Sequence, residues 1–247
     1  MNYFKTEKRT AFIAVLLIFV IFLPFSVHSA YADDAETVNS WPQAPSVYGA
    51  SAILMDADSG AILYASNAHE RLYPASITKI MTGLLAIENL NLNDTITYTN
   101  QILITIPSDA AKLGLVEGET TTIRDALYAL LLRSANEVAT GLAFQVSGSE
   151  SEFAKIMTER AAQAGALDTH FANASGLHQD DHYTTAYDMA MIAKTAMANP
   201  EFATIWGSEN YTLAATNKSE SFRIWHRHAL LLSTSQYYYP YLSLIHI

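Results

Sequence analysis

Tyr73-Pro-Ala-Ser-Ile-Thr-Lys-Ile-Met-Thr-Gly-Leu-Leu-Ala-Ile-Glu88 is the stretch on which the reading of this chain turns. Pro74 suits the first turn of a helix, and Ile80, Leu84 and Ile87 follow at helical spacing, so a helix is expected from about Pro74-Ala75-Ser76. On that helix Ser76 and Lys79 stand three residues apart and share a face, which brings the amine within reach of the hydroxyl. A serine is a poor nucleophile until a base takes its proton. A neutral lysine can serve when its surroundings lower its pKa to about 7–8, and the positive end of the helix dipole pushes the same way. Ser-x-x-Lys also arises about once by chance in a chain of this length, as a helix cap followed by a surface lysine.

On the N-terminal side, Ser51–Asp56 and Ala61–Ser66 are short apolar runs flanking Asp58-Ser59-Gly60, a β-hairpin pattern. On the C-terminal side, Asp94–Asn100 alternates and reads as a strand, and Thr122–Arg133 reads as a strong helix with Ile123, Ala126, Leu127, Leu130 and Leu131 on one face. Further helical patterns cover about 137–146, 150–164 and 185–198, the last with Thr185 three residues before Asp188 as its cap. Tyr211–Ala214 and Ser221–Trp225 read as short strands. Strands, then helices, then strands again predict a sheet assembled from both chain ends with a helical part inserted between.

A second candidate cluster, Ser134-Ala135-Asn136, follows the Thr122–Arg133 helix. Ser134 could relay protons beside the base, and Asn136 could hold both Lys79 and a substrate amide. The bland alternative is a helix–helix turn, since Ser and Asn are ordinary capping residues. Ser208-Glu209-Asn210 repeats the spacing, so Ser-x-Asn discriminates little by itself.

Composition narrows the field. The 247 residues carry 14 Lys+Arg against 24 Asp+Glu, and no cysteine. A net charge of −10 argues against binding the phosphate backbone of nucleic acid. The missing cysteines exclude a disulfide framework, a thiol nucleophile and thiolate metal sites. Half the residues are hydrophobic and 15% are charged, which suits a folded core rather than disorder.

Lys5, Lys8 and Arg9 precede an unbroken apolar run, Ala11–Leu23, closed by Pro24, and Ala30-Tyr31-Ala32 supplies a small-x-small cleavage pattern. A run this short reads as an export signal over 1–32, cleaved after Ala32, rather than as a span across about 30 Å of hydrocarbon. Residues 33–50, punctuated by Pro42 and Pro45, read as a linker.

The Tyr73–Glu88 stretch closely resembles the active-site helix of the D-alanyl-D-alanine carboxypeptidases, low-molecular-mass penicillin-binding proteins of the serine peptidase S11 type. Leu130-Leu-Leu-Arg-Ser-Ala-Asn-Glu-Val-Ala139 resembles their second motif. The Leu54–Tyr64 hairpin and the segment Ser175-Gly176-Leu177…His182–Asp188 also match, and the resemblance covers nearly all of Ser51–Tyr241. It implies an α/β (α+β) chain of the β-lactamase/transpeptidase-like fold, with an antiparallel sheet and an inserted helical subdomain.

By the same resemblance Ser76 is the acylated nucleophile, Lys79 its general base, and Ser134 and Asn136 their partners. Arg227 would bind the terminal carboxylate of a D-Ala-D-Ala stem peptide of peptidoglycan, although this chain has His226-Arg227-His228 where the family often has Asn-Arg-Asn. β-Lactams would acylate Ser76 as substrate mimics. No metal or organic cofactor is implied; His226-x-His228 invites a metal reading but lacks a third ligand at a recognisable spacing. His182 reads as a structural or rim residue. The alternatives are a serine β-lactamase and a non-catalytic penicillin- or wall-binding module. Membrane association of a longer parent stays open.

The family's third motif, Lys-Thr/Ser-Gly, is expected shortly after Arg227 and is not found; Lys194-Thr195-Ala196 and Lys218-Ser219-Glu220 both lack the glycine. Residues 51–241 are therefore read as an incomplete domain missing its C-terminal strands. Leu242–Ile247, which resembles one frame of a sequencing adapter, is read as a non-native tail. The chain as written is expected to be inactive in peptide turnover.

Overall fold

The computed structural model describes residues 46–229 and 232–236. The expected signal segment 1–32, most of the linker and the tail 242–247 lie outside the described residues.

Two strands open the fold, β1 (Ala52–Met55) and β2 (Ile62–Ser66), paired antiparallel with Ala52 opposite Ser66 and Leu54 opposite Tyr64. Gly60 closes their turn at φ 78°, a left-handed conformation that glycine adopts at little cost. A 3₁₀ turn, Ala75–Thr78, leads into α1 (Lys79–Asn89). The helix expected from Pro74 thus begins as a tighter turn, in which residues three apart nearly eclipse.

Next come β3 (Thr95–Tyr98), α2 (Asn100–Leu103) and β4 (Glu119–Thr122). Strands β3 and β4 pair antiparallel, Thr95 with Thr122 and Tyr98 with Glu119. The expected start of the next helix at Thr122 is corrected by one residue. Thr122 ends β4 and caps α3 (Ile123–Arg133), its Oγ1 accepting the Asp125 N–H at 3.0 Å.

Helices α4 (Asn136–Ser147), α5 (Glu150–Gln163) and α6 (Ala186–Met197) follow the expected patterns to within a residue or so. The α6 cap is the one read from sequence, Asp188 N–H to Thr185 Oγ1 at 3.0 Å. Not anticipated was α7 (Pro200–Trp206), although Asn199 caps it and Pro200 occupies its first position. Strands β5 (Asn210–Leu213) and β6 (Phe222–Trp225) close the described chain.

The N-terminal and C-terminal strands do not join among the described residues. Among the described residues β1–β2, β3–β4 and β5–β6 form three separate two-stranded sheets. Helix α6 packs against β1, while β5 and β6 pack against α3. Each hairpin satisfies its inner ladder locally, and nothing in the described strands bridges the first pair to the last. The single sheet expected from sequence is corrected accordingly.

Helix α3 is the centre of the core. It buries every residue except Arg124 and Arg133, not just the one face read from its periodicity. A helix apolar nearly all round belongs inside a bundle, and α1, α4, α7, β5 and β6 all pack on it. Burying side chains such as Leu127 and Leu130 stabilises by about 1.5–3 kcal/mol each. Helix α1 buries its whole stretch from Lys79 to Ala86. One cationic residue therefore begins a helix whose first two turns lie inside the core, and the site is built around it.

Candidate active site

Ser76 is exposed at the head of α1, whereas Thr78 and Lys79 just behind it are buried. The turn that presents it is strained: Ala75 has φ 48°, a left-handed conformation costing a non-glycine residue about 1–3 kcal/mol. Surrounding contacts hold it there. Gly176, itself at φ 82°, lies so close that a Cβ on it would sit 1.8 Å from the Ala75 carbonyl oxygen. His182, 2% exposed, accepts the Ala172 N–H on Nδ1 at 3.1 Å. Its other nitrogen, Nε2, therefore carries the proton and donates to Thr78 Oγ1 at 2.9 Å. Burial pushes the His182 pKa down to about 4, which keeps the ring neutral. The structural role read for His182 is the one its geometry supports.

A turn at 173–177 faces the same helix. Asn173 Oδ1 accepts the N–H groups of Ser175 and Gly176 at 3.1 and 2.7 Å, and its Nδ2 donates to Leu177 O at 2.7 Å. Thr82 Oγ1 of α1 donates to Ala174 O at 2.6 Å. So fixed, the Ser175 carbonyl points at the lysine.

Lys79, 3% exposed, meets three oxygens: Ser175 O at 2.6 Å, Asn136 Oδ1 at 2.8 Å and Ser76 Oγ at 3.3 Å. Asn136 Nδ2 donates to Ala111 O at 3.0 Å, which orients the amide with Oδ1 toward the amine. Burial is the largest influence on Lys79 and lowers its pKa to about 7. Glu137 opposes that change, and the nearby Arg227 charge adds to it. A neutral amine has two N–H bonds and one lone pair. With both N–H groups committed to the carbonyl and the amide oxygen, the lone pair faces the Ser76 hydroxyl.

The junction between α3 and α4 delivers Asn136. Ser134 takes φ 58°, while Ser134 N–H reaches Leu130 O at 3.0 Å and Ala135 N–H reaches Ala129 O at 3.4 Å. The 5→1 bond from Ser134 is that of an αL closure, with serine in the usual glycine position. Asn136 then starts α4 with both its backbone N–H and its Nδ2 on Ala111 O. The Ser134 hydroxyl is buried and makes no hydrogen bond among the described residues. The turn reading of Ser134-Ala135-Asn136 and the chemical one thus coexist, because the closure is what aims Asn136. Arg227 follows β6 with an exposed side chain, near enough for its charge to act on Lys79.

Sequence reasoning singled out Ser76, Lys79 and Asn136, and the structure brings their polar atoms together. It gave no part to the Ser175 carbonyl, which no side-chain pattern announces, nor to Glu137. The available signal is Gly176, a lone glycine in a polar turn that takes φ 82°.

These features match known proteins. The family model described as D-alanyl-D-alanine carboxypeptidase, Peptidase S11, matches residues 38–238. The chain is 37% identical over 174 residues to D-alanyl-D-alanine carboxypeptidase DacF of Bacillus subtilis, covering 68% of this chain and 44% of that protein. It is 29% identical over 209 residues to DacD of Escherichia coli, covering 80% and 53%. The solved Streptomyces K15 DD-transpeptidase superposes with a TM-score of 0.72 at 27% identity, over 78% of this chain and 79% of that one. A D-alanyl-D-alanine carboxypeptidase structure from Mycobacterium tuberculosis gives 0.71 at 30%, over 78% and 72%. The fold is that of the penicillin-binding and transpeptidase proteins. The chain belongs to the S11 D-alanyl-D-alanine carboxypeptidase family, and spans about half the length of the curated relatives cited.

Proposed function

We propose that the chain carries the acyl-transfer machinery of a serine-type D-Ala-D-Ala carboxypeptidase acting on peptidoglycan stem peptides outside the cytoplasmic membrane. The observation that carries this reading is the Lys79 amine, buried, with a pKa near 7, and 3.3 Å from an exposed Ser76 hydroxyl. Neutral Lys79 takes the Ser76 proton as Oγ attacks the carbonyl carbon of the penultimate D-alanine. In a complete family member the C–N bond then breaks, the terminal D-alanine leaves with a proton returned through Lys79, and water hydrolyses the Ser76 ester. The chain as written, without a Lys-Thr/Ser-Gly motif, is proposed not to turn peptide over. Asn136 steadies Lys79 and is available to a substrate amide, and Arg227 offers a guanidinium to the terminal carboxylate. A β-lactam carbonyl meets the same nucleophile, and its ring opens to leave an acyl-enzyme. Export rests on the basic and apolar pattern of residues 1–32.

Intact-mass analysis after incubation with benzylpenicillin tests the reading. Acylation is the readout of choice because it uses the Ser76–Lys79 pair directly. The expected result is a single adduct on the Ser76 peptide, absent from Ser76→Ala. A wild-type protein that stays unmodified over hours, or equal modification of Ser76→Ala, overturns it.

A further inference from the structure

Glu137 is the buried ionisable group in this site that the proposed chemistry leaves unused. It is 1% exposed at the start of α4. Its Oε1 accepts the backbone N–H groups of Leu113 at 2.6 Å and Gly114 at 2.9 Å. Its Oε2 is buried with no hydrogen-bond partner among the described residues. A half-satisfied carboxylate is costly to bury, and two neighbouring features give it a purpose.

The first is mechanical. Ala111, two residues before the clamped Leu113, accepts both the Asn136 N–H and the Asn136 Nδ2 at 3.0 Å. Four hydrogen bonds thus stitch the 111–114 strap to the adjacent pair Asn136–Glu137, two to the Ala111 carbonyl and two to the Glu137 carboxylate. Asn136 can aim Oδ1 at Lys79 only while Ala111 holds its other end. The second is electrostatic. The charges acting on Lys79 are Glu137 from α4 and Arg227 from the segment after β6, of opposite sign. Around Glu137 itself stand Lys79 and the buried Tyr98 of β3, whose hydroxyl bonds Thr121 at 3.1 Å.

We infer that Glu137 is a positioning residue for Lys79: its buried carboxylate pins the strap that aims Asn136 and supplies the negative charge that offsets Arg227 beside the amine. The inference rests on the proposed role of Lys79. In the absence of Glu137 the amine would hold its proton less well, because burial and Arg227 both act against the charged form. A base that is too weak loses driving force for taking the Ser76 proton, so the carboxylate keeps Lys79 near the working pH.

Glu137→Gln separates the two effects, because an amide oxygen can still accept the strap N–H groups while the charge is gone. In protein labelled with [ε-¹³C]lysine, the Lys79 resonance is titrated by NMR and assigned through Lys79→Arg. The wild-type midpoint is expected near pH 7, and the Glu137→Gln midpoint below it. An unmoved midpoint overturns the electrostatic part. Glu137→Asp keeps the charge but withdraws the carboxylate by one methylene. It is expected to leave the midpoint near the wild-type value while speeding hydrogen exchange at Leu113 and Gly114 by about tenfold or more. Unchanged exchange in that variant overturns the mechanical part, whether or not Glu137→Gln folds. The titration needs no substrate. A moved midpoint in a protein that β-lactams never acylate would sink the proposed reaction and spare this inference; acylation at Ser76 with an unmoved midpoint would do the reverse.

Discussion

The Lys79 amine lies 2.6 Å from the Ser175 carbonyl oxygen, closer than to Ser76 Oγ, the atom it is proposed to serve, at 3.3 Å. A carbonyl can only accept, so it permanently claims one N–H of the lysine in either protonation state. Asn136 Oδ1 claims a second. The amine's last position faces the serine, and whether it holds a proton or a lone pair depends on a pKa near 7. Orientation is thus set by a backbone atom and an amide, and reactivity by burial.

Converting Asn136 to Asp tests that division. A carboxylate 2.8 Å from Nζ would favour the protonated amine, and opposite charges at such range raise a lysine pKa by about 1–3. β-Lactam acylation at pH 7 is expected to fall about 5- to 500-fold, with its pH midpoint moved upward. A stopped-flow or mass-based pH series reads both. An Asp variant that acylates at the wild-type rate at pH 7 would detach Asn136 from the base.

Gly176 is expected to tolerate no side chain. Its φ of 82° and the 1.8 Å approach to Ala75 O mean that Gly176→Ala must move the turn presenting Ser76. A loss of about 3 kcal/mol or more in urea unfolding is expected, together with loss of acylation. Gly60→Ala is the control. It has a similar φ of 78° but meets only the flexible tip of Lys194, so about 1 kcal/mol is expected and labelling should persist.

Ser134 couples stability to function in opposite directions. Its hydroxyl is buried without a hydrogen-bond partner among the described residues, at a cost of about 1–3 kcal/mol. Ser134→Ala should therefore raise Tm, and if the hydroxyl relays protons near the base it should also slow acylation of Ser76. A variant that is both more stable and fully reactive would reduce Ser134 to a helix closure.

Acid should loosen the site through His182. Its folded pKa is lowered to about 4 from the ordinary 6.5, so the unfolded chain binds the extra proton first. Stability from the neutral ring is full above about pH 6.5 and is lost as pH falls toward 4. Buried His226, likewise lowered to about 4, adds to the same limb. Differential scanning calorimetry across this range should show Tm falling. His182→Asn, which can keep the Ala172 hydrogen bond and does not titrate there, should have a flatter limb; an equally steep one would show that His182 is not the group lost in acid.

The sequence made local features legible and left non-local ones dark. Helices α3 to α6 emerged from periodicity and caps because both signals lie within one element. The Ser76–Lys79 spacing anticipated a contact that a 3₁₀ turn delivers. Asn199-Pro200 marked the start of α7 and was passed over, and the Thr-rich β4 was partly absorbed into the helix it precedes. Pairing among the hairpins could not be read, since alternation tells which face is buried but not which strand lies alongside. The Ser175 carbonyl was invisible for a plainer reason: every residue has one, and only the turn built by Asn173 aims it.

If Lys79 is a neutral base at work on Ser76, the pH dependence of β-lactam acylation at Ser76 must follow the Lys79 ionisation. The expected rate climbs through a single ionisation near pH 7 and levels off above it. A rate that keeps rising toward the ordinary lysine pKa of about 10.4, or that shows no dependence between pH 5 and 9, would contradict it.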